Sequence, residues 1–481
     1  MWGQVGPARS RETCARHPPN PGNAYPYGVV MPPVVALVAA TAAQAIAVSF
    51  GIANFYALAA IGIGTAVAVN AGVRKLTAPA ARRGQAFSRN VTLRSTTTPR
   101  AIVYGRALVS GPVVYTNVAG TDNENLYVVV ALAGHEVDDI EEVWIDGTRI
   151  ASPNWGDWEN SGDYSGVARF EKYLGTSTQT ASANLVSAFT EWTSDHRGRG
   201  IAYIVCTFKL TEESAAGVYK TQPSQISALV KGKKVYDPRV SGHDVSDPST
   251  WEWSDNPALC AADYLIDPDI GAGFESDDID YDQLADEADY CDASVAIPGS
   301  TTEARYTVNG ALAAADVTDR ENLSEILATM NGRYAYTGGK HVIRAGRYIA
   351  PTQTITADWL RGNAVLSTAT PTAQRFNTIT SVYISADEQY QPMDSLAVSD
   401  ASMVSRDNGR TLRQQIDLPM VNGEYQAQRI CYNLLQDTEN MLRLSLPCNY
   451  SALDLAMHEH VQVTIDEFEF EGKVFRVIGL S

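Results

Sequence analysis

Between Arg16 and Arg74 the chain runs for 57 residues without one Asp, Glu, Lys or Arg, and from Val34 to Val69 the run is almost wholly apolar, with 26 of its 36 residues Ala, Val, Ile or Gly. A stretch this apolar must be buried, in protein or in lipid. Gly51 and Asn54 divide it near the middle, giving two segments of 17 to 18 residues that would pair as a helical hairpin. Each helix would reach about 26 Å, slightly less than the ~30 Å of a bilayer core. Its bulkier side chains are Val34, Val35, Leu37, Val38, Ile46, Val48, Phe50, Ile52, Phe55, Leu58, Ile61, Ile63, Val67 and Val69.

Charge brackets this run. Arg9, Arg11 and Arg16 precede it, and a basic collar of Arg74, Lys75, Arg82, Arg83 and Arg89 follows it. Around a membrane hairpin that pattern places both ends on the cytoplasmic side. The small residues equally permit close helix packing inside a protein assembly, which needs no lipid. A secretory signal fits poorly, because the apolar run starts late and is too long. Residues 1–110 carry a net +10, so the overall −18 leaves −28 on residues 111–481. That body should repel nucleic acid, whereas the N-terminal region would suit acidic subunits, phosphates or anionic lipid.

Beyond the collar, strand patterns dominate. Arg100 to Arg106, Leu126 to Leu132 and Ile201 to Lys209 read as strands, and Glu142 to Thr148 as strand then turn. Glu321 to Met330 forms an amphipathic helix through Leu323, Ile326, Leu327 and Met330, closed by Asn331-Gly332. A hairpin follows, Arg333 to Thr337 and Lys340 to Arg344 around Gly338-Gly339. Further on come a strand from Thr378 to Ile384, a helix from Glu424 to Leu435, and strands Val461 to Ile465 and Lys473 to Ile478. Short strands joined antiparallel, with helices interspersed, predict a β-rich α+β chain of several domains. Weak boundaries fall near residues 76, 237–248 and 347–354.

The segment from Asn256 to Val295 looks chemical, since twelve of the thirty residues from Asp263 to Asp292 are Asp or Glu. Asp278, Asp280 and Asp282 even imitate the start of a calcium loop. Such a loop needs a glycine at its sixth position and a Glu at its twelfth, where this chain has Gln283 and Asp289. The plainer reading is two short helices about a bend at Gly271 and Gly273. Pro257 opens the first, Asp267-Pro268 stops it, and Asp277 or Asp278 caps the second. Leu284, Ala288 and Cys291 share that helix's inner face, while the carboxylates face water.

Catalytic signatures are missing from the sequence. There is no G-x-S-x-G elbow, no H-E-x-x-H helix and no Walker loop, and Gly62-Ile-Gly64 lies inside the apolar run. His458 and His460 alternate on an expected strand and could share a metal, although a surface pair is the simpler reading. His196-Arg-Gly-Arg-Gly200 reads as a loop held by salt bridges more readily than as a phosphate cradle. Six scattered cysteines read as reduced thiols, most of them in the core, with Cys260 and Cys291 able to approach if the two helices pair. No cofactor and no metal is expected.

Several phrases form an ordered series: Ala131 to Gly147 (ALAGHEVDDIEEVWIDG), Glu191 to Arg197 with Gly200 to Tyr203, Lys231 to Arg239 (KGKKVYDPR), Asn256 to Leu265 and Arg305 to Gly310. From about Arg94 to the C-terminus the chain resembles the tail tip family of long-tailed bacteriophages, baseplate hubs similar to the tip protein J of lambda-like phages. The resemblance implies a structural virion protein, not an enzyme: a homotrimer at the distal end of the tail that caps the tube and takes part in channel opening and DNA delivery. It implies tail-tube-like β-barrel or sandwich domains with inserted helices.

Residues 1–30 are then a flexible basic arm, 31–75 the apolar hairpin, 76–240 a first tube-like domain with the basic linker, 241–350 an α+β hub domain, and 351–481 a second β-rich domain with one helix. Implied partners are the distal tail and tail tube proteins, the tape measure protein, and phage DNA passing without sequence-specific binding. The chain stops soon after Phe475 to Gly479, so a separate tail fibre is expected to bind the receptor. The hairpin would serve as a lumen plug or tape-measure contact, with host membrane contact at infection. Two alternatives stand beside this reading: a membrane-inserting, channel-forming protein and an envelope-degrading tail enzyme.

Overall fold

The computed structural model describes residues 99–210, 225–299, 301–314, 317–368, 375–439 and 442–480. The N-terminal arm, the apolar hairpin from Val34 to Val69 and the basic collar from Arg74 to Arg89 lie outside the described residues.

The first half is built from alternation. In β4 (Asn125–Ala133) and β8 (Ala202–Lys209), Leu126, Val128, Val130, Ile204, Cys206 and Phe208 enter one core, and Tyr127, Val129, Tyr203 and Val205 another. The strands are β1 (Ala101–Tyr104), β2 (Arg106–Val109), β3 (Val113–Ala119), β4, β5 (Asp139–Ile145), β6 (Thr148–Ile150), β7 (Ala168–Tyr173), β8 and β9 (Ile226–Lys231). Two four-stranded antiparallel sheets result, β3-β4-β8-β7 and β2-β9-β5-β6. Their inner faces meet through Val128, Val130, Ile204, Phe208, Ile140, Val143, Ile226 and Val230. The outer face of the first sheet, with Tyr127, Val129, Tyr203 and Val205, is covered by Leu185 of α1 (Ala183–Ala188) and by Phe189. The expected barrel or sandwich is therefore a sandwich, and among the described residues no sheet closes into a barrel.

One expected strand becomes two. Gly105 has φ +61°, and a Cβ there would lie 1.9 Å from the Val308 carbonyl oxygen, so only glycine allows the turn between β1 and β2. β2 stays in the sandwich, whereas β1 pairs antiparallel with β14 (Gly310–Ala313).

The middle of the chain holds short pairs and helices: β10 (Lys234–Val235) with β11 (Glu252–Trp253), α2 (Pro257–Ile266), α3 (Tyr281–Asp292), β12 (Ser294–Ile297) with β13 (Thr301–Ala304), then β14, α4 (Asp319–Ala328), and the hairpin β15 (Arg333–Thr337) with β16 (Lys340–Arg344). The hairpin has the register read from sequence, Thr337 opposite Lys340. Asn256 joins α2 and α3: its side-chain oxygen accepts from Ala258 N (3.0 Å), and its amide donates to Ala288 O (2.9 Å). Leu284, Ala288 and Cys291 are buried as expected. The cap of α3 is Asp280, which accepts from Gln283 N at 3.1 Å; Asp277 and Asp278 lie in a preceding 3-10 turn instead. Helix α4 begins with a reciprocal box between Thr318 and Glu321. The described cysteines are free thiols.

The carboxylates of these helices are not all on the wet side. Asp263 on α2 is buried, and Lys233 donates to it (2.8 Å) and to Asp267 (2.5 Å), while Tyr104 donates to Asp263 at 2.6 Å. Burial alone would discharge Lys233, but the two carboxylates outweigh it and hold its pKa above the ordinary value. Glu287 on α3 is wholly buried and faces Arg347 (3.0 Å) and Arg344 (3.5 Å). Arg239 bridges Asp237, Asp289 and Asp292.

The last third carries β17 (Thr354–Thr356), β18 (Val365–Ser367), β19 (Thr378–Ser385), β20 (Gln391–Asp394), β21 (Val398–Ser399), α5 (Ala401–Arg406), β22 (Arg413–Leu418), α6 (Glu424–Glu439), β23 (Arg443–Ser445), β24 (His460–Ile465) and β25 (Phe470–Arg476). Two pairings here are parallel, β17 with β24 and β19 with β22, where short strands joined antiparallel were expected. Ala427, Ile430, Cys431 and Leu435 form the buried stripe of α6. Gln389 and Tyr390, both with positive φ, turn β19 into β20, and Tyr390 packs on Leu108, Trp144 and Leu229 of the sandwich.

Replacing Lys233 by Met should strand the buried Asp263 charge and cost about 3 kcal/mol or more, read as a lower urea midpoint; an unchanged midpoint would refute its structural role. A pH effect follows from His135, whose Nε2 accepts from Val103 N (2.9 Å) while Nδ1–H donates to Glu136 O. Burial, with help from Lys233, lowers its pKa from 6.5 to about 4. The unfolded chain therefore binds the proton first, and this stability is complete above about pH 6.5 and lost as pH falls toward 4. In His135→Gln the midpoint should fall less over that window than in the parent chain.

Candidate functional site

A cleft of about 2810 Å³ opens between α6, the β15–β16 hairpin and the C-terminal sheet. Its described lining holds seven cations, Arg333, Arg347, Arg361, Arg406, Arg443, Lys473 and Arg476, and one carboxylate, Asp437. In a chain of net charge −18 this is a reversal of local sign. The residues arrive from widely separated segments: Arg333 opens β15, Arg443 opens β23, and Arg476 ends β25.

Asp437 accepts from Arg333 (2.5 Å) and sits 3.4 Å from an Arg476 nitrogen, so one negative charge serves two guanidinium groups. The surplus is felt by neighbours. Burial and then Arg476 push the Arg333 pKa down, and burial, Arg476 and Arg333 push His460 down. Arg347 is turned away to Glu287, tying the cleft wall to α3. Arg361, Arg443 and Lys473 stand exposed. Large apolar side chains are interleaved with them, Tyr450 at 89%, Leu453 at 78%, Tyr348 at 66% and Ile478 at 63% exposure. Cations beside uncovered aromatic and aliphatic groups suit an acidic protein surface.

The histidine pair does not form a metal site. His458 adopts φ 64° before β24 begins, which breaks the alternation, and its Nε2 donates to Tyr334 O at 3.3 Å. His460 Nδ1 accepts from Ile349 N instead. Among the described residues no group of three or more His, Cys, Asp or Glu side chains is placed to hold a metal ion. The loop at His196 to Gly200 is fastened mainly by Gln179, whose amide donates to Arg197 O and Gly198 O, both at 2.9 Å, with one Arg197–Asp195 ion pair at 3.2 Å. Sequence reasoning did not find the cleft. Its cations are isolated in sequence, each on a different element, and no local spacing reports that they meet.

Residues 318–477 match the model of a family described as putative phage tail protein, and nearly the whole cleft lies within that stretch. No curated protein matches the sequence. Among solved structures, the fold is similar to a chain from the virion of a native gene transfer agent particle, with TM-score 0.59, 16% identity, and coverage of 87% of this chain and 93% of that one. Looser overlaps, too weak to argue from, are the 43 kDa tail protein of prophage MuSo2 from Shewanella oneidensis (TM-score 0.26, 11% identity, 80% and 95% covered) and prophage tail protein gp18 from Listeria monocytogenes EGD-e (0.23, 11%, 78% and 87%). The similarity to phage tail proteins thus covers residues 318–477, and beyond them the likeness is one of fold.

Proposed function

We propose that the protein is a tail tip or baseplate hub, a homotrimer that caps the distal end of the phage tail tube and takes part in opening the channel for DNA. The observation that carries this reading is the fold, shared over 87% of the chain with a protein of an assembled virion particle. The ordered phrases from Ala131 to Gly310 point the same way. Three chains, each with β-rich domains at residues 76–240 and 351–481 around a hub domain at 241–350, would meet a hexameric tube with matching symmetry. Distal tail and tube proteins would lie on one side, the tape measure protein in the lumen, and a separate fibre or receptor-binding protein outside.

The work assigned is assembly and closure, without turnover. Among the described residues the cleft holds one carboxylate, already engaged by two guanidiniums, which suits neither general acid nor nucleophile. A body of net −28 discourages DNA from adhering to a channel wall. The apolar run from Val34 to Val69 would plug the axis and contact the tape measure, held by the collar from Arg74 to Arg89. The same run, uncharged and with each half nearly as long as a bilayer core is thick, favours a second reading in which it enters the host membrane at infection.

Phage lacking residues 31–72 of this chain should yield tails that leak DNA or fail to assemble. Normal, infectious particles from that deletion would refute the plug.

A further inference from the structure

We infer that the basic cleft receives the acidic α2–α3 face of a second copy of this chain, in a head-to-tail contact. The cleft's exposed cations, Arg361, Arg443 and Lys473, have no described carboxylate within ion-pair distance. The complementary surface is on the same chain. Glu275, Asp277, Asp282 and Asp286 are exposed on and before α3 and likewise have no described cation within ion-pair distance, whereas Asp263, Asp267, Glu287, Asp289 and Asp292 are all paired internally. Phe274, 41% exposed, adds an aromatic group to that acidic surface, facing the kind of apolar residues that rim the cleft.

The described α3 face cannot reach the cleft of its own chain. Leu284, Ala288 and Cys291 anchor α3 in the core, and Glu287 points back at Arg347 on the cleft wall while Asp282 and Asp286 point to solvent. Both surfaces are thus fixed on one chain, and only another copy brings them together. A contact between two different patches is heterologous, and it closes into a ring when the rotation allows. A nucleic acid would answer the charge but not the uncovered Tyr450, Leu453 and Ile478, so the apolar rim favours protein. That the ring has three members rests on the hub reading; the pairing itself does not.

The test is self-association of the full chain, followed by mass photometry at low and high salt. The parent should assemble at low salt and dissociate as salt screens the contact. Arg443→Glu with Lys473→Glu, and separately Asp282→Lys with Asp286→Lys, should each weaken assembly about tenfold or more. All four changes in one chain should restore it, a rescue that a misfolded variant would not show. A parent that stays monomeric, reversals without effect, or loss without rescue overturns the pairing. So does a duplex DNA probe whose binding to the parent is abolished by the cleft reversal alone. Phage carrying either reversal should fail to build tails; normal tails from both would overturn the pairing while leaving the tail-protein reading in place.

Discussion

The ion cluster around Lys233 is the constraint on which the rest of the structure depends. One ammonium, carried by the chain just after β9, pairs with both Asp263 and Asp267 at the end of α2, and Tyr104 from β1 donates to Asp263. Three segments from the sandwich and the helical layer therefore meet at one buried charge. Burying such a group is costly unless it is paired and hydrogen-bonded, so the cluster fixes which strand end faces which helix. Arg239 repeats the device one turn of chain later, holding Asp289 and Asp292 of α3. The basic phrase from Lys231 to Arg239 and the acidic one from Asn256 onward are two halves of a single structural element.

That pairing also sets the charge of the surface. Once Lys233, Arg239, Arg344 and Arg347 have taken their carboxylates, the acids left over, Asp282 and Asp286 among them, are displayed outward. Arg361, Arg443 and Lys473, which have no described carboxylate partner, stand in the cleft under α6. A chain that is acidic overall thus carries, among its described residues, a strongly basic recess and an acidic face held apart from it. Assembly is the natural resolution, and it agrees with the class of protein to which residues 318–477 are similar.

Much of the fold was legible because it is local. The hairpin from Arg333 to Arg344 follows from Gly338-Gly339 between alternating runs, and the helices at residues 257–266, 319–328 and 424–439 follow from caps and stripes. Errors arose where distant residues decide. Gly105 splits one apparent strand because the Val308 carbonyl approaches it. Asp280 caps α3 in place of Asp277 or Asp278 because the chain first makes a 3-10 turn. Asp263 and Glu287 turn inward because Lys233, Arg344 and Arg347, up to sixty positions away, wait for them. The parallel pairs β17–β24 and β19–β22 join segments with no shared signature, and the cleft is an extreme case of the same kind.

The central claim is that this chain is an assembly subunit at the end of a tail. Electron cryomicroscopy of intact particles tests it most directly. The account predicts density for residues 99–480 as a trimer closing the distal end of the tube, with the α3 face of one copy in the basic cleft of the next. A particle without this chain, or one in which it repeats along the hexameric tube wall, would contradict it.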